Sequence, residues 1–384
     1  MKRDTLLTIK LPTGNHAVRE PASFSKPKGA FTRKALAAAH VVADPLSAKD
    51  PWLEAAIDWD ATLAYRRHLW SWGFGVAEAM DTAQRGMGLD WTNSLELIRR
   101  TVQAAGKGDV VASGAGTDHL PPGKAFAIPE IVAAYEEQCA ALEKLGGRII
   151  LMASRALAAS AKSPDDYAKV YDRILSQVRQ PVIIHWLGEM FDPALQGYWG
   201  KADHYAAMDV CLSVMEKHKG KVDGIKVSLL DKDKEIAMRR KLPQGVRMYT
   251  GDDFNFAELI EGDAQGCSDA LLGIFDAIAP AASQALSFLS SNENEKYHEV
   301  LAPTVALSRH IFCAPTRFYK TGVVFMAWLN GHQDHFVMVG GQQSARNIAH
   351  LSELFRLADA AGLLADPLLA CARMKQLLAV HGCA

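Results

Sequence analysis

A lysine inside an apolar strand pattern is the residue best suited to do chemistry in this sequence. The segment 222–229 reads VDGIKVSL, and its alternation places Lys226 on the face opposite the apolar residues, together with Gly224 and Ser228. An ammonium group is rarely buried without a partner. Burial and neighbouring cations lower the pKa of an amine, so that its neutral form can attack a carbonyl. Lys226 is therefore a candidate for a Schiff base; the pattern is equally compatible with a buried ion pair or an amine that extends to solvent.

Polar residues at the ends of other strand patterns are candidates for proton transfer and substrate binding. His185 ends the run PVIIH, where an imidazole could carry protons together with Thr82. Arg155 could hold a carboxylate or phosphate through two parallel hydrogen bonds, or form a loop salt bridge. The further substrate-binding candidates are Asp44, Asp81, Ser154 and Asp252.

The carboxylates in this set have a second interpretation. Asp44 and Asp81 could bind the hydroxyl groups of a sugar-like substrate, but capping of the next helix explains each of them equally well. Asp252 and Asp253 follow one strand, and we expect one side chain to face inward and the other to cap the following helix. The pattern does not decide which of the two faces inward.

Short apolar runs alternate with longer segments of helical period, which predicts repeated βα units. Eight such units indicate a (β/α)8 TIM barrel, and the lack of a GxGxxG turn after the first strand disfavours an open doubly wound sheet. Active sites of such barrels lie at the carboxyl ends of the strands. The predicted strands are His40–Asp44, Gly75–Thr82, Asp109–Ser113, Arg148–Ala153, Pro181–His185, Asp223–Leu229, Arg247–Thr250 and Ala270–Phe275.

Three regions follow from this pattern. Residues 1–37 are predicted to form an irregular N-terminal arm, and residues 38–280 to form the barrel. Residues 281–384 have a helical pattern throughout and are predicted to form an additional helical layer packed on the barrel.

Composition excludes several classes of function. Of the 384 residues 49% are hydrophobic and 22% charged, as in ordinary globular proteins, and the formal net charge is −1. This balance disfavours nucleic acid and anionic membranes as partners. Six scattered cysteines without CxxC spacing indicate reduced thiols and no zinc knuckle. Since no signal peptide or membrane span is recognisable, we expect a soluble, cytoplasmic protein.

Several motifs in order resemble the dihydrodipicolinate synthase / N-acetylneuraminate lyase family. The resemblance extends over about residues 38–330 and implies a class I aldolase-type enzyme with Lys226 as the Schiff-base lysine. It also implies a homo-oligomer. The motifs are VDGIK at 222–226, YTGDD at 249–253, GCS at 266–268 and AP at 279–280.

The chain departs from the family pattern at three strand ends. The family's GTTGE-like turn, which holds a pyruvate carboxylate, reads MDTAQ at 80–84 and keeps one threonine. The family's strand-four tyrosine is missing from ASR at 153–155, and its YN on strand five reads HW at 185–186. The chain therefore resembles a divergent branch with an altered substrate or reaction.

Three functions are compatible with these residues. The first is a carbon–carbon lyase or dehydratase that acts through Lys226 on a small 2-oxo acid or keto-sugar, without metal or other cofactor. The second is a metal-dependent isomerase or aldolase that uses His185, Asp81, Glu78 and His335. The third is a non-catalytic small-molecule sensor on the same fold.

Overall fold

The computed structural model describes residues 7–383 and has a closed barrel of eight parallel strands at its centre. Within these residues the strands are β1 (Thr8–Leu11), β2 (Gly14–Ala17), β3 (Ala35–Ala38), β4 (Gly75–Glu78), β5 (Val111–Ala115), β6 (Arg148–Leu151), β7 (Val182–Leu187), β8 (Val222–Ser228), β9 (Arg247–Thr250) and β10 (Asp269–Leu272). Strands β3 to β10 follow one another around the barrel, and pairing of Ala270 with Ala35 closes it. The predicted (β/α)8 fold is confirmed.

Helices alternate with the barrel strands and continue beyond the last strand. They are α1 (Trp59–Ser71), α2 (Trp91–Ala104), α3 (Ile128–Lys144), α4 (Arg155–Ser160), α5 (Pro164–Gln177), α6 (His204–Lys217), α7 (Lys232–Arg239), α8 (Phe256–Glu261), α9 (Ile274–Ala277), α10 (Ala279–Ser290), α11 (Asn294–Ile311), α12 (Tyr319–Leu329), α13 (Ile348–Ala360) and α14 (Pro367–Val380). The predicted C-terminal helical region is thus present. No helix in the described part of the chain has the length and apolar character needed to cross a bilayer.

Alternation along the strands produces two separate apolar regions. In β3, for example, Ala35 and Ala37 belong to the outer core between barrel and helices, whereas Leu36 and Ala38 belong to a small cluster inside the barrel. Strand β8 contributes no apolar side chain to that inner cluster, because its inward positions carry the glycine, lysine and serine predicted above. The barrel interior therefore has a polar sector at β8.

The first predicted strand was wrong. Residues 40–44 (HVVAD) have an apolar centre, but the barrel strand is β3, which begins five residues earlier. The amide of His40 donates to Asp276 Oδ2 at 2.9 Å, and the amide of Val42 donates to Thr62 Oγ1 at 3.0 Å. Side chains of α9 and α1 thus take the hydrogen bonds that a neighbouring strand would have provided.

The N-terminal arm contains regular structure that the sequence did not indicate. Strands β1 and β2 form an antiparallel hairpin in which Ile9 faces His16. Ile9 is buried, and His16 Nε2 lies 2.9 Å from Asp359 Oδ2 on α13, so the hairpin is fixed to the C-terminal layer. The first barrel strand begins at Ala35, before the predicted boundary at residue 38. Residues 1–6 of the predicted arm lie outside the described residues.

The C-terminal layer shares one apolar core with the outside of the barrel. Every residue of α12 is buried, and the helix packs against α9, which directly follows the last barrel strand. The predicted boundary at residue 280 falls inside α10. Because α12 begins at the carboxyl end of the barrel, its first two residues, Tyr319 and Lys320, come close to the strand ends that carry the candidate chemistry.

Candidate active site

Lys226 lies in the middle of the barrel wall, on the inward face of β8. Its neighbours in register are His185 on β7 and Tyr249 on β9. The adjacent residues Ile225 and Val227 are in the outer core, as the strand pattern predicts. Only 8% of Lys226 is exposed. The lysine therefore reaches the barrel interior rather than the surrounding solvent.

The space around the lysine depends on two glycines. A Cβ atom on Gly251 would lie 2.7 Å from Lys226 Cε and 2.2 Å from Ser228 Oγ, so only glycine leaves room for the lysine side chain here. Gly224 makes room for a different side chain. Its Cβ would lie 2.7 Å from Cε2 of Tyr249, so the tyrosine ring, and not a substrate, fills the space that Gly224 leaves.

The Lys226 ammonium has no hydrogen bond or ion pair with any residue in 7–383. Burial lowers the pKa of this amine below its ordinary 10.5, while the charges of Asp253 and Asp81 act in the opposite direction. Removal of the group from water disfavours its charged form. An unpaired buried amine with a lowered pKa is the state that nucleophilic attack on a carbonyl requires.

The two aspartates after β9 are divided as expected, and the structure decides which faces inward. Asp252 caps the following turn, because its Oδ1 accepts from the amides of Phe254 at 2.8 Å and Asn255 at 3.0 Å. Asp252 does not line the cavity described below, and its contact with substrate stays a prediction. Asp253 is the one whose charge acts on Lys226. Burial raises the pKa of the Asp253 carboxyl to about 7, although a hydrogen bond from the backbone amide of Ile274 and the charge of Lys226 lower it.

His185 lies beside Lys226 on the neighbouring strand. Its Nε2 is 3.3 Å from Ser228 Oγ, and its Nδ1 is buried without a partner among the described residues. Burial, reinforced by the charge of Lys226, lowers the pKa of this imidazole well below 6.5. His185 is thus a neutral imidazole with one nitrogen free for a proton or a ligand.

A phenol missed by sequence reasoning lies next to Thr82. Thr82 Oγ1 is 2.8 Å from Tyr319 Oη, and both residues are buried. Tyr319 begins α12, more than two hundred residues after Thr82, and it stacks on Phe312 with ring centroids 4.3 Å apart. Burial and the charge of Asp81 raise the pKa of the phenol. No pattern in the sequence links this tyrosine to the barrel, since the contact exists only after the C-terminal layer has packed.

A cavity of about 440 Å³ opens at the carboxyl end of the barrel, and three predicted site residues line it: Asp81, Arg155 and His185. Arg155 Nε is hydrogen bonded to Asp192, which orients the guanidinium. The carboxylate of Asp81 has no hydrogen bond with any described residue. Arg85, also in the wall, is held in two bonds to Asp118, at 2.9 and 2.6 Å.

Two predicted substrate-binding residues do not reach this cavity. Asp44 is exposed, and its Oδ1 accepts from the amide of Leu46 at 3.0 Å, because the first strand ends six residues earlier than predicted. Ser154 is buried, and its hydroxyl caps α4 through Leu157 N at 2.9 Å and contacts Thr117 Oγ1 at 2.6 Å. Asp44 completes a turn and Ser154 completes a helix end, and neither is part of the cavity wall.

The residues suggested for a metal site are not brought together. Glu78 is fully buried in an ion pair with Arg66, at 2.9 Å, on the outer side of its strand. Nδ1 of His335 accepts from the amide of Val337 at 3.1 Å, in the loop that follows α12. Over residues 7–383, no group of three or more histidine, cysteine, aspartate or glutamate side chains is arranged to hold a metal ion.

Comparison with known proteins gives a family and a fold. The model of the family described as "Protein of unknown function (DUF993)" matches residues 9–383. Among curated protein sequences no match was found.

The similar solved structures include several dihydrodipicolinate synthases, so the predicted resemblance is confirmed at the level of the fold. The enzyme from Thermotoga maritima is 14% identical with a TM-score of 0.65, and that from Aquifex aeolicus is 12% identical with a TM-score of 0.64. The enzyme from Acinetobacter baumannii, solved with pyruvate, is 16% identical with a TM-score of 0.63. Each match covers 86% of this chain and 99% of the other.

Proposed function

We propose that this chain, which belongs to the DUF993 family, is a lyase that forms a Schiff base between Lys226 and a small carbonyl substrate. The observation that carries the proposal is the state of this amine, which is buried and unpaired within residues 7–383 and has a lowered pKa. A lysine that served only to balance a charge would be in contact with a carboxylate. The fold shared with dihydrodipicolinate synthases agrees with this chemistry.

In the proposed mechanism the neutral amine of Lys226 adds to the carbonyl carbon, and the resulting carbinolamine loses water to give a protonated imine. The carbon next to the imine carbon then separates from the following carbon, which carries a hydroxyl group. The hydroxyl gives its proton to His185, and the electron pair of the broken bond moves toward the imine and gives an enamine. The other fragment leaves as an aldehyde. Protonation of the enamine carbon and hydrolysis of the imine then release the second product and restore the lysine.

Four residues carry the protons in this mechanism. Asp253 has a pKa of about 7, so near neutral pH it can give a proton to the departing hydroxyl of the carbinolamine and take it back. His185 accepts or returns a proton through its free Nδ1. The contacting hydroxyl groups of Thr82 and Tyr319 supply a second route for protons, from the barrel to the C-terminal layer.

The substrates we propose are a 2-oxo acid or a keto-sugar. Arg155 would bind the carboxylate or a phosphate through its two terminal nitrogens, since its Nε is already bonded to Asp192. Asp81 would accept hydrogen bonds from substrate hydroxyl groups. The pyruvate in the Acinetobacter baumannii structure is consistent with the first of these substrate classes.

The test is reductive trapping. The protein is incubated with candidate 2-oxo acids and ketoses, reduced with borohydride, digested, and analysed by mass spectrometry for an adduct on Lys226. We expect an adduct on this lysine that is lost in Lys226→Ala and retained in the control Lys201→Ala, which changes an exposed lysine. Failure to trap any of these carbonyl compounds would contradict the proposal. Activity that survives Lys226→Ala and disappears with a chelator would favour a metal-dependent reaction instead.

A further inference from the structure

A second lysine is buried near the candidate site and has no role in the proposed mechanism. Lys320, the second residue of α12, is only 4% exposed. Its Nζ donates to the sulfur of Met87 at 3.1 Å and to the carbonyl of Arg317 at 3.2 Å. Burial lowers the pKa of this ammonium to about 8. A thioether is a weak acceptor, and the ammonium otherwise lies over the ring of Tyr319, 5.1 Å from its centroid, so it has no carboxylate partner among the described residues.

Three of the four charged residues that act on Lys320 line the cavity described above. Asp81, Arg155 and Asp192 all act on its ammonium, and all three line the cavity. Asp192 is already bonded to Arg155, and the charge of Asp81 acts on Lys226 as well. Asp81 is therefore the only one of these two carboxylates without a hydrogen bond to a described residue, and its charge acts on both Lys320 and Lys226. A cation in this position is available for an anion that arrives from outside.

The contact with Met87 can be exchanged for such an anion. Met87 has an unbranched, flexible side chain and lies between Gly86 (φ 73°) and Gly88 (φ 121°). Gly86 is part of the cavity wall, and a Cβ atom there would lie 2.5 Å from Arg155 Nη1. The terminal nitrogens of Arg155 make no hydrogen bond with any residue in 7–383. The Met87 thioether thus occupies Lys320, while the preceding Gly86 borders the end of the cavity at which Arg155 has free donors.

We propose that Lys320 and Arg155 together bind an oxyanion of the substrate, which displaces the Met87 side chain from the lysine. This inference rests on the proposed function and narrows it: the substrate is a carbonyl compound that also carries a carboxylate or phosphate group. The subsite uses a residue of the C-terminal layer, so the barrel strands alone do not complete it. Two cations with free donors suit an oxyanion, since charge-assisted hydrogen bonds are the stronger ones.

The experiment compares carbonyl compounds that differ in charge. Rates of borohydride trapping on Lys226 are measured with pyruvate against hydroxyacetone, and with dihydroxyacetone phosphate against dihydroxyacetone. Lys320→Met should lower the rate with the anionic member of a pair by about tenfold or more, the loss expected for one hydrogen bond between charged groups, and leave the neutral member within about twofold. The affected pair distinguishes a carboxylate from a phosphate substrate.

Controls separate this subsite from folding and from the imine itself. Lys375→Met makes the same change at an exposed position of the C-terminal layer and should alter neither pair. Lys320→Gln is the second variant if Lys320→Met does not fold. Binding of lactate and of inorganic phosphate, which form no imine, is measured by calorimetry on the same proteins. Both should bind more weakly without Lys320.

The outcomes are distinct. Equal loss for anionic and neutral compounds, or no loss for either, overturns the subsite and leaves the Schiff base standing. If nothing is trapped on Lys226 but lactate or phosphate binding still depends on Lys320, the proposed reaction fails and the anion subsite stands. Calorimetry that shows no dependence on Lys320 overturns the subsite in either case.

Discussion

Replacement of Asp253 by asparagine should change the pH dependence of folding stability in a calculable direction. The carboxyl of Asp253 is almost completely buried, and its pKa rises from 3.8 to about 7 in the folded protein. Between about pH 4 and pH 7 the folded protein therefore holds a proton that the unfolded chain has lost. Unfolding releases this proton, so the free energy of unfolding falls as the pH rises through this window.

The size of the effect follows from the two pKa values. A rise from 3.8 to about 7 corresponds to about 4 kcal/mol of stability, present near pH 4 and lost by pH 8. The attraction of Lys226 is already contained in that value, since it lowers the folded pKa. Asparagine has nearly the same shape and does not ionise, so Asp253→Asn should resemble the wild type near pH 4 and exceed its stability at pH 8.

The assay is urea denaturation followed by circular dichroism at pH 4, 5, 6, 7 and 8, with the difference in unfolding free energy between variant and wild type plotted against pH. Asp44→Asn is the matched control, because it makes the same change at an exposed position outside the site. Taking the difference removes the contributions of other buried carboxyls, such as Glu235, whose pKa burial raises to about 8. A flat difference for Asp253→Asn would refute the assignment of a protonated, buried carboxyl beside Lys226.

Two further predictions concern the walls of the site. Gly251→Ala should lower the free energy of unfolding by about 1–3 kcal/mol and impair trapping on Lys226. The control is Gly220→Ala, whose Cβ would meet no atom within 4 Å and which should change neither quantity. If Gly251→Ala unfolds and is trapped like the wild type, the described geometry is contradicted. Tyr319→Phe removes the hydroxyl that contacts the buried Thr82 hydroxyl. It should slow deuterium exchange at the carbon next to the imine, measured by NMR, more than it slows borohydride trapping on Lys226. Equal slowing of both rates would argue against a proton-transfer role of Tyr319.

Much of the fold could be predicted because apolar residues recur with a different spacing in strands and in helices, and this spacing is visible in the sequence. The alternation in 222–229 placed Lys226 on the inward face of β8, and the structure has it there, beside His185. The strand at 40–44 was mispredicted because an apolar run shows burial but not the partner of its backbone. In the structure, Asp276 and Thr62 accept the backbone hydrogen bonds that a neighbouring strand would otherwise have accepted.

The residues of the site were predicted less completely than the barrel strands on which they lie. The sequence limited the inward aspartate to Asp252 or Asp253, and only the path of the chain after β9 made Asp253 the one that acts on Lys226. Tyr319 and Lys320 had no signal, because their contacts with Thr82 and Met87 span more than two hundred residues.

By itself the sequence determined the eight-unit barrel and the lysine that faces its interior, since both follow from local periodicity and from the direction of alternate side chains along a strand. Tertiary structure alone decided which groups surround that lysine. Packing of the C-terminal helices brings a phenol and a second buried amine to the strand ends, and burial then sets the pKa values of the neighbouring groups. Desolvation depends on everything packed around a group, and no stretch of sequence contains that information.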